Sequence, residues 1–359
     1  MIRNLSYALV LAALAVCNSA SASANRTFVS AQHGVDLNSA LGCSAAAPCR
    51  TFGVALGVTN PGGEIIAIDS GGYGPFVIDR SVSVEAPDGV YAGIAVPTGT
   101  GILIATAGVT VHLRGLTING TGGTAGSIGI DLAAGSALSI EHVTVSNFVG
   151  AASYGLRAAA VQTLSVVDST FRDCLLAVVL TNVQTATITG SRFLGTITGP
   201  ASGGTLPRTG AYGVWVQSSD GVTSPAVAIV DCVVNEGVQI GFAALDGNNA
   251  GAPALDLAVD RSLVSGSDAG LGLTDANSTG ATIRASASRS TFTHLRTGAL
   301  GVDGAQATAL LDGVTITDSA AAYAINASTG GAIKSFGNNT LSGNAVDSGG
   351  GVLTPLGVQ

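Results

Sequence analysis

The chain has 359 residues, of which 51 are glycine and 4% are aromatic, and its formal net charge is −8. So few aromatic side chains cannot fill the core as large anchors, and the acidic excess argues against nucleic-acid binding, which needs basic side chains to replace phosphate counterions. Composition hardly changes from about residue 60 onward, which is typical of a repeat protein rather than of the two domains that the length alone would suggest.

The first 24 residues have the pattern of a secretory signal peptide. Arg3 precedes an apolar run from Ala8 to Val16, and Ala22-Ser23-Ala24 forms an A-x-A cleavage site. The run is too short to span a bilayer. We therefore expect a signal peptide over 1–24 and a single domain over 25–359. We expect this domain to be a soluble monomer in the periplasm or outside the cell, with no integral membrane segment.

Residues 25–60 are expected to form an N-terminal strand, a disulfide loop and a capping helix. Cys43 and Cys49 are close enough in sequence for a disulfide that closes the loop between them in an oxidising compartment. In the segment from Arg50 to Val58, apolar residues recur at helical spacing, which predicts the helix. Cys174 and Cys232 lie at different offsets in their own repeats, so we interpret them as buried free thiols.

A repeat of short alternating strands occupies residues 61–345. Each repeat contains a segment that ends in an apolar anchor, and the anchors lie 22 to 29 residues apart except for one interval of 41. A second short strand follows each anchor after a glycine or alanine turn, and no amphipathic helix intervenes, which excludes a βαβ alternation. The anchors are Ile118, Val145, Phe171, Phe193, Val234, Leu263, Phe292, Ile316 and Leu341.

This pattern predicts an all-β fold, a single-stranded right-handed parallel β-helix with a short N-terminal capping helix. One coil cannot bury its own apolar edge, whereas coils stacked about 4.8 Å apart share a continuous core and satisfy one another's backbone groups. Glycine and asparagine at the corners supply the positive φ angles that the turns need. Residues 346–359 are expected to cover the C-terminal end.

Three segments resemble the pectin-lyase-like superfamily of exported bacterial β-helix repeat proteins. They are TFVSAQHGVDLNSALGCSAAAPCRTFGVAL (27–56), TNPGGEIIAIDSGGYGPFVIDRSVSVEAP (59–87) and FGNNTLSGN (336–344). The resemblance implies the fold strongly and the chemistry weakly, because that superfamily includes lyases, hydrolases, epimerases and adhesins. The chain lacks the N-T-D, D-P-H-D and W-I-D-H motifs that mark its well-known enzymes.

Asp231, Asp260 and Arg289 each stand three residues before an anchor and are 29 residues apart, so they are predicted to stack in one column, with Asp168 in the same column. Two interpretations remain open. The two carboxylates could hold Ca²⁺, whose ligands are oxygens, and Arg289 could then be the catalytic base of a polysaccharide lyase. Alternatively, Asp260 and Arg289 form a solvated ion pair, which contributes little at a surface.

Trp215, the only tryptophan, is the second candidate. Aligning GIDL, GLRA and GVWV places Trp215 in one column with Asp131 and Arg157, which are expected to face water. With Tyr212 and with Arg208 of the insertion at 196–211, Trp215 is predicted to bind a sugar substrate, since loops that project from solenoids shape their binding faces. The other interpretation is that Trp215 packs under the insertion as a small satellite core.

The sequence therefore predicts an exported β-helix that recognises carbohydrate or a cell-surface partner. The alternatives are a Ca²⁺-dependent lyase acting on uronate polymers and a purely structural or adhesive surface protein. The net negative charge disfavours a polyanionic substrate unless Ca²⁺ intervenes.

Overall fold

The computed structural model describes residues 23–121, 124–132, 137–195, 212–220, 222–246, 254–275, 282–325 and 329–356. Most of the predicted signal peptide, Arg208 and the insertion at 196–211 lie outside these residues. Within them, the chain winds through three parallel sheets, which we name A, B and C in the order in which each coil visits them. Sheets B and C each have 11 strands and sheet A has 13, so the described chain makes about eleven coils.

The strands of each sheet follow the order of the chain, because every strand pairs with its counterpart in the next coil. The strands of sheet A are β1 Ala24–Val29, β2 Thr59–Ala67, β5 Val82–Glu85, β8 Thr110–Arg114, β11 Ala137–Glu141, β14 Thr163–Val167, β17 Thr185–Thr189, β20 Ala226–Val230, β23 Leu255–Asp260, β26 Ile283–Ser288, β29 Ala307–Asp312, β32 Ala332–Ser335 and β35 Thr354–Pro355.

Sheets B and C complete each coil. The strands of sheet B are β3 Gly71–Gly72, β6 Ala92–Val96, β9 Leu116–Gly120, β12 Thr144–Phe148, β15 Thr170–Cys174, β18 Arg192–Leu194, β21 Val233–Asn235, β24 Leu263–Ser265, β27 Thr291–Thr293, β30 Thr315–Thr317 and β33 Thr340–Ser342. The strands of sheet C are β4 Phe76–Ile78, β7 Thr100–Ile104, β10 Ile128–Leu132, β13 Tyr154–Ala159, β16 Leu176–Thr181, β19 Tyr212–Ser218, β22 Ile240–Asp246, β25 Ala269–Asp275, β28 Gly298–Asp303, β31 Ala321–Ile325 and β34 Val346–Ser348.

The N-terminal end of the solenoid is closed as the sequence predicts. Helix α1 (Phe52–Val58) begins after Thr51, whose side chain accepts a hydrogen bond from the Val54 amide, and its Phe52 is fully buried. A 3-10 helix (Asp36–Leu41) precedes it, and Cys43 and Cys49 are joined by the expected disulfide. No helix in the described residues is long and apolar enough to cross a bilayer.

The core is a set of aliphatic and aromatic stacks that run along the solenoid. One long column comes from the inward positions of sheet B, and each of the members named below is at most 1% exposed. Apolar burial of this kind stabilises by roughly 25 cal/mol per Å² of area removed from water. The column contains Ile118, Val145, Phe171, Phe193, Val234, Val264, Phe292 and Ile316.

One predicted anchor is wrong by one residue. Val264, not Leu263, pairs with Val234 and is fully buried, while Leu263 is only partly buried. Both residues are apolar, so no local signal distinguished them, and the stacking of neighbouring coils decides the register.

Serine side chains stabilise the corner between sheets A and B from inside. The Ser169 amide donates to Ser191 Oγ at 3.2 Å, and the Ser262 amide donates to Ser290 Oγ at 3.1 Å. In the coil between Ser191 and Ser262, Cys232 occupies the position that serine has in the other coils. Its amide donates to Ser262 Oγ, and its thiol lies 3.3 Å from the Val230 carbonyl. Cys174 and Cys232 are both buried free thiols, as expected.

The C-terminal end differs from the N-terminal one. Beyond residue 345, where the coils were expected to stop, β34 and β35 continue sheets C and A. These strands are exposed at every residue, and β33 is exposed or partly buried. A covering role for 346–359 stays a prediction, since the described residues up to 356 extend the coils.

Candidate functional site

Two aromatic rings meet on the outer face of sheet C. Within β19, Val214 and Val216 are fully buried and point into the core, whereas Tyr212 and Trp215 are half-buried. Their ring centroids are 5.0 Å apart, with the ring planes inclined by 35°. The structure therefore brings together two of the three residues predicted to bind a substrate.

Gly213 explains why both rings lie on the same face. Residues three apart in a regular strand would face opposite sides. A Cβ atom on Gly213 would lie 2.5 Å from the Gly241 carbonyl oxygen and 3.5 Å from the Val234 side chain, so Gly213 faces the core, as Val214 does. This local irregularity returns Tyr212 to the outer face, and the close approach of the Gly241 carbonyl favours glycine at position 213.

The predicted column of Asp131, Arg157 and Trp215 is confirmed. Asp131 pairs with Arg157, Arg157 with Val179 and Val179 with Trp215 on successive coils. The expectation that Asp131 faces water is wrong, since this residue is 3% exposed. The reason is that Arg157 lies over it, and its Nε and Nη2 donate to the two carboxylate oxygens at 2.9 and 2.7 Å.

Arg157 is held from a second side by Tyr154. The guanidinium carbon lies 5.5 Å from the centroid of the Tyr154 ring, within the range of a cation–π contact. The hydrogen bond with Asp131 raises the pKa of Arg157, so the guanidinium is a fixed cation. Sequence reasoning missed this cluster, although the shared Tyr-Gly start of β13 and β19 is a signal that could have found it.

Together these residues form what we call the sheet C strip: Tyr154, Arg157, Leu176, Val179, Tyr212 and Trp215. Tyr154, Leu176 and Tyr212 form one column, and Arg157, Val179 and Trp215 form the other. Leu176 and Val179 are buried between the two ends. Since coils are about 4.8 Å apart, the Tyr154–Arg157 end and the Tyr212–Trp215 end are separated by roughly 10 Å along the solenoid axis.

The predicted column of Asp231, Asp260 and Arg289 is wrong by one residue. Because Val264 replaces Leu263 as the anchor, the residue that stacks between Asp231 and Arg289 is Arg261. All three lie at the corner between sheets A and B with φ of 53°, 46° and 47°, whereas Asp260 ends β23 and pairs with Ser288. Asp168 occupies the same corner position two coils earlier, with φ of 46°.

The four charged side chains at this corner nevertheless touch, and we call them the corner ladder: Asp231, Arg261, Asp260 and Arg289. Arg261 donates to both oxygens of Asp231 at 2.8 Å and also to Asp260 at 2.7 Å. Arg289 Nε and Nη2 donate to Asp260. The Arg261 hydrogen bond lowers the pKa of Asp231, and the Arg289 hydrogen bond lowers that of Asp260.

The corner ladder does not fit a Ca²⁺ ion. Calcium takes six to eight oxygen ligands, whereas the oxygens of Asp231 and Asp260 already accept N–H groups from two guanidinium cations, and Ser288 adds a further hydrogen bond at 2.9 Å. Among the residues that the structure describes, no three His, Cys, Asp or Glu side chains form a group suited to a metal. The geometry corresponds to the solvated ion-pair interpretation.

The chain shares its fold with polysaccharide lyases of known structure. Pectate lyase Pel9A superposes with a TM-score of 0.57 at 14% identity, covering 94% of this chain and 80% of that one. A rhamnogalacturonan lyase superposes with a TM-score of 0.53 at 10% identity, covering 83% and 75%. No protein-family model and no curated protein matches the sequence. The chain thus has a right-handed parallel β-helix fold.

Proposed function

We propose that this β-helix is an exported protein that binds polysaccharide through the sheet C strip. The observation that carries the proposal is the Tyr212–Trp215 pair, whose rings lie together on the outer face of sheet C. Aromatic rings offer a large, rigid apolar surface at little cost in conformational entropy, and Tyr and Trp are accordingly enriched at recognition sites. The C–H faces of sugar rings stack on such surfaces.

Arg157 supplies the polar contact that an aromatic surface lacks. Its side chain is 39% exposed, and Asp131 and Tyr154 fix its orientation. A guanidinium that is already ordered loses little further entropy when it donates to a ligand oxygen. The strip thus combines stacking surfaces at one end with oriented donors at the other, which is the composition expected of a site for a hydroxyl-rich chain.

The fold comparisons support the choice of polysaccharide, because both solved structures are named as lyases of pectic polymers. Export supports it too, since the signal peptide predicted from Arg3 and Ala22-Ser23-Ala24 would bring the protein to the periplasm or the cell exterior, where glycans occur. A cell-surface protein partner and a purely structural role remain the alternatives for the same face.

The lyase alternative has support from the fold and none from the corner ladder. In that alternative Asp231 and Asp260 hold Ca²⁺ and Arg289 removes the proton beside a uronate carboxylate. Arg289 instead donates two hydrogen bonds to Asp260, so its guanidinium is held as a salt-bridged cation. A base must lie within hydrogen-bond reach of the proton that it removes, and Asp260 already engages two N–H groups of Arg289.

A glycan array followed by titration tests the proposal. The unmodified protein, Trp215→Ala and Tyr212→Ala should be compared with Tyr91→Ala, a matched control because Tyr91 is 52% exposed and directly precedes β6 of sheet B. We expect Trp215→Ala and Tyr212→Ala to raise Kd about tenfold or more, equivalent to about 1.4 kcal/mol. Failure to bind any glycan, or equal affinity in all four proteins, would overturn the proposal.

A further inference from the structure

We infer that the sheet C strip binds the interior of a single soluble polysaccharide chain that lies along the solenoid axis, and that it recognises neither a chain end nor a crystalline glycan surface. This inference rests on the proposed function and specifies the form of its ligand. It follows from the depth and tilt of the two aromatic rings and from the residues that extend the strip along the axis.

The aromatic pair is recessed and bent, so a flat surface cannot use it. Tyr212 and Trp215 are both half-buried, and their ring planes are inclined by 35° with the centroids 5.0 Å apart. No plane is parallel to two rings inclined in this way, and a crystal face reaches a ring only where the ring stands clear of its neighbours. A sugar ring of a free chain can settle against both rings, since each offers an apolar face. The pair therefore favours a single chain.

The dimensions of sheet C decide the direction of the saccharide chain. The sheet has 11 strands about 4.8 Å apart, so it extends roughly 50 Å along the axis. Across the axis, β19 has seven residues and spans only about 24 Å. Arg157 lies two coils from Trp215 along the axis. A saccharide chain parallel to the axis therefore meets both ends of the strip, whereas one parallel to β19 meets only the aromatic pair.

The path beyond Trp215 carries only small side chains. On the next four coils the Trp215 column continues with Ala243, Gly272, Gly301 and Ala324. On this side of Trp215, no described residue of the column is larger than alanine, and a Cβ atom on Gly301 would meet nothing within 4 Å. The column therefore offers no wall against which a terminal sugar could be held, and a saccharide chain can continue past the rings.

The other end of the strip also suits an interior segment. Asp131 accepts hydrogen bonds from Nε and Nη2 of Arg157, and the remaining N–H groups of this guanidinium are donors only. Hydroxyl, ring and bridging oxygens all accept such bonds, and they recur in every unit of a polysaccharide. Arg157 can therefore bind whichever unit lies over it, and it needs no group that is found only at a chain end.

Fluorescence of Trp215, the only tryptophan, measures the dependence on chain length. The intact protein should be titrated with the disaccharide, the hexasaccharide and a soluble polymer of the cellulose, xylan and mannan series. We expect Kd to fall about tenfold or more from disaccharide to hexasaccharide, because only the longer chain reaches both ends of the strip. Reduction of the terminal sugar to its alditol should change the Kd of the hexasaccharide less than about twofold. Crystalline cellulose should not sediment the protein.

Gly272→Leu tests the path itself. The added Cβ would meet only Ile240, at 3.6 Å, which is an ordinary contact, and the leucine would stand in the Trp215 column two coils, roughly 10 Å, beyond the rings. We expect it to weaken binding of the soluble polymer about tenfold or more and to leave the disaccharide unchanged. Gly57→Leu is the matched control, because it adds the same side chain in open space on α1, and it should change neither.

Three results would overturn this inference and leave the proposed function standing. They are equal affinity for the disaccharide and the polymer, sedimentation of the protein with crystalline cellulose, and polymer binding that Gly272→Leu does not change. A different glycan that binds on the array should be titrated in the same three lengths. If no member of the three series changes the emission of Trp215 and the array shows no binding, the proposed function fails and this inference fails with it.

Discussion

Arg157 covers Asp131 of the preceding coil and donates to both of its carboxylate oxygens, at 2.9 and 2.7 Å. The carboxylate has 5% of its side chain exposed, so Arg157 is what makes its burial tolerable. This pair links the stability of sheet C to the proposed binding strip, since the same guanidinium serves both.

Arg157→Gln should lower the free energy of unfolding by about 3 to 5 kcal/mol, because it leaves a buried carboxylate without its partner. Arg284→Gln is the matched control. Its pair with Asp256 has both side chains about half exposed, and its loss should cost under about 1 kcal/mol. Urea unfolding followed by circular dichroism measures both. Equal destabilisation by the two substitutions would show that Arg157 is not needed to stabilise the buried carboxylate of Asp131.

Gly213→Ala should destabilise the protein by about 1 to 3 kcal/mol, because its Cβ would lie 2.5 Å from the backbone oxygen of Gly241. The emission of Trp215 should change as well, since the strand must shift beside it. Gly301→Ala on the same sheet has open space at the added atom and should be neutral or slightly stabilising. A neutral Gly213→Ala would contradict the role given to Gly213 in placing the two rings.

Cys232→Ser should be tolerated, whereas Cys232→Val should cost about 1 to 3 kcal/mol. The sulfur accepts a hydrogen bond from the Ser191 amide, a role that serine fills at this corner in other coils. Valine would leave that buried amide unsatisfied, and an unpaired buried donor is costly. Chemical denaturation of the two variants decides the matter. Equal stability would mean that the thiol packs without accepting this bond.

The free thiols should make the protein less stable at alkaline pH. Burial raises the pKa of Cys174 to about 12 and that of Cys232 to about 11, above the ordinary value of about 8.5 in the unfolded chain. The folded state then holds these protons more tightly, so their stabilising effect is complete below about pH 8.5 and is lost as pH rises through 11 to 12. The decline should be smaller in a protein carrying both Cys174→Ser and Cys232→Ser, and at pH 8 iodoacetamide should modify neither thiol before unfolding.

Arg289→Gln should change glycan affinity less than twofold, because the corner ladder lies at the corner between sheets A and B and the binding strip lies on sheet C. Stability should fall by under about 1 kcal/mol, as expected when one Arg of an exposed pair is removed. The same variant tests the lyase alternative. Absorbance of unsaturated products from a uronate polymer with Ca²⁺, lost in Arg289→Gln and in Asp231→Asn, would replace binding with catalysis as the function.

Sequence reasoning reached the fold and the column of Trp215 because both depend on patterns that are repeated in every coil. GIDL, GLRA and GVWV each carry a glycine that must pack against the next coil, so the glycine marks the register. The corner ladder lacked such a marker. Leu263 and Val264 are both apolar, and choosing Leu263 as the anchor put Asp260 into the column in place of Arg261.

The burial of Asp131 and the αL corners escaped prediction for a different reason. An aspartate on the outer face of a strand is ordinarily solvated, but Asp131 is covered by the side chain of Arg157 from the next coil. The corners were expected to use glycine and asparagine, yet Asp231, Arg261 and Arg289 all adopt positive φ there. The backbone amide of each corner residue donates a hydrogen bond to a carbonyl of the next coil, and these bonds stabilise the strained conformation. The sequence of one repeat does not show such contacts between coils.

The two ends of the solenoid give it a direction of opening. Each coil rests only on its neighbours, so the free energy of opening is set locally and not by the whole chain. Helix α1 and the Cys43–Cys49 disulfide secure the first coils, whereas β34 and β35 of the last coil are exposed at every residue. Amide hydrogen exchange should therefore be fastest at the final strands and slower in the inner coils, which include those of the sheet C strip.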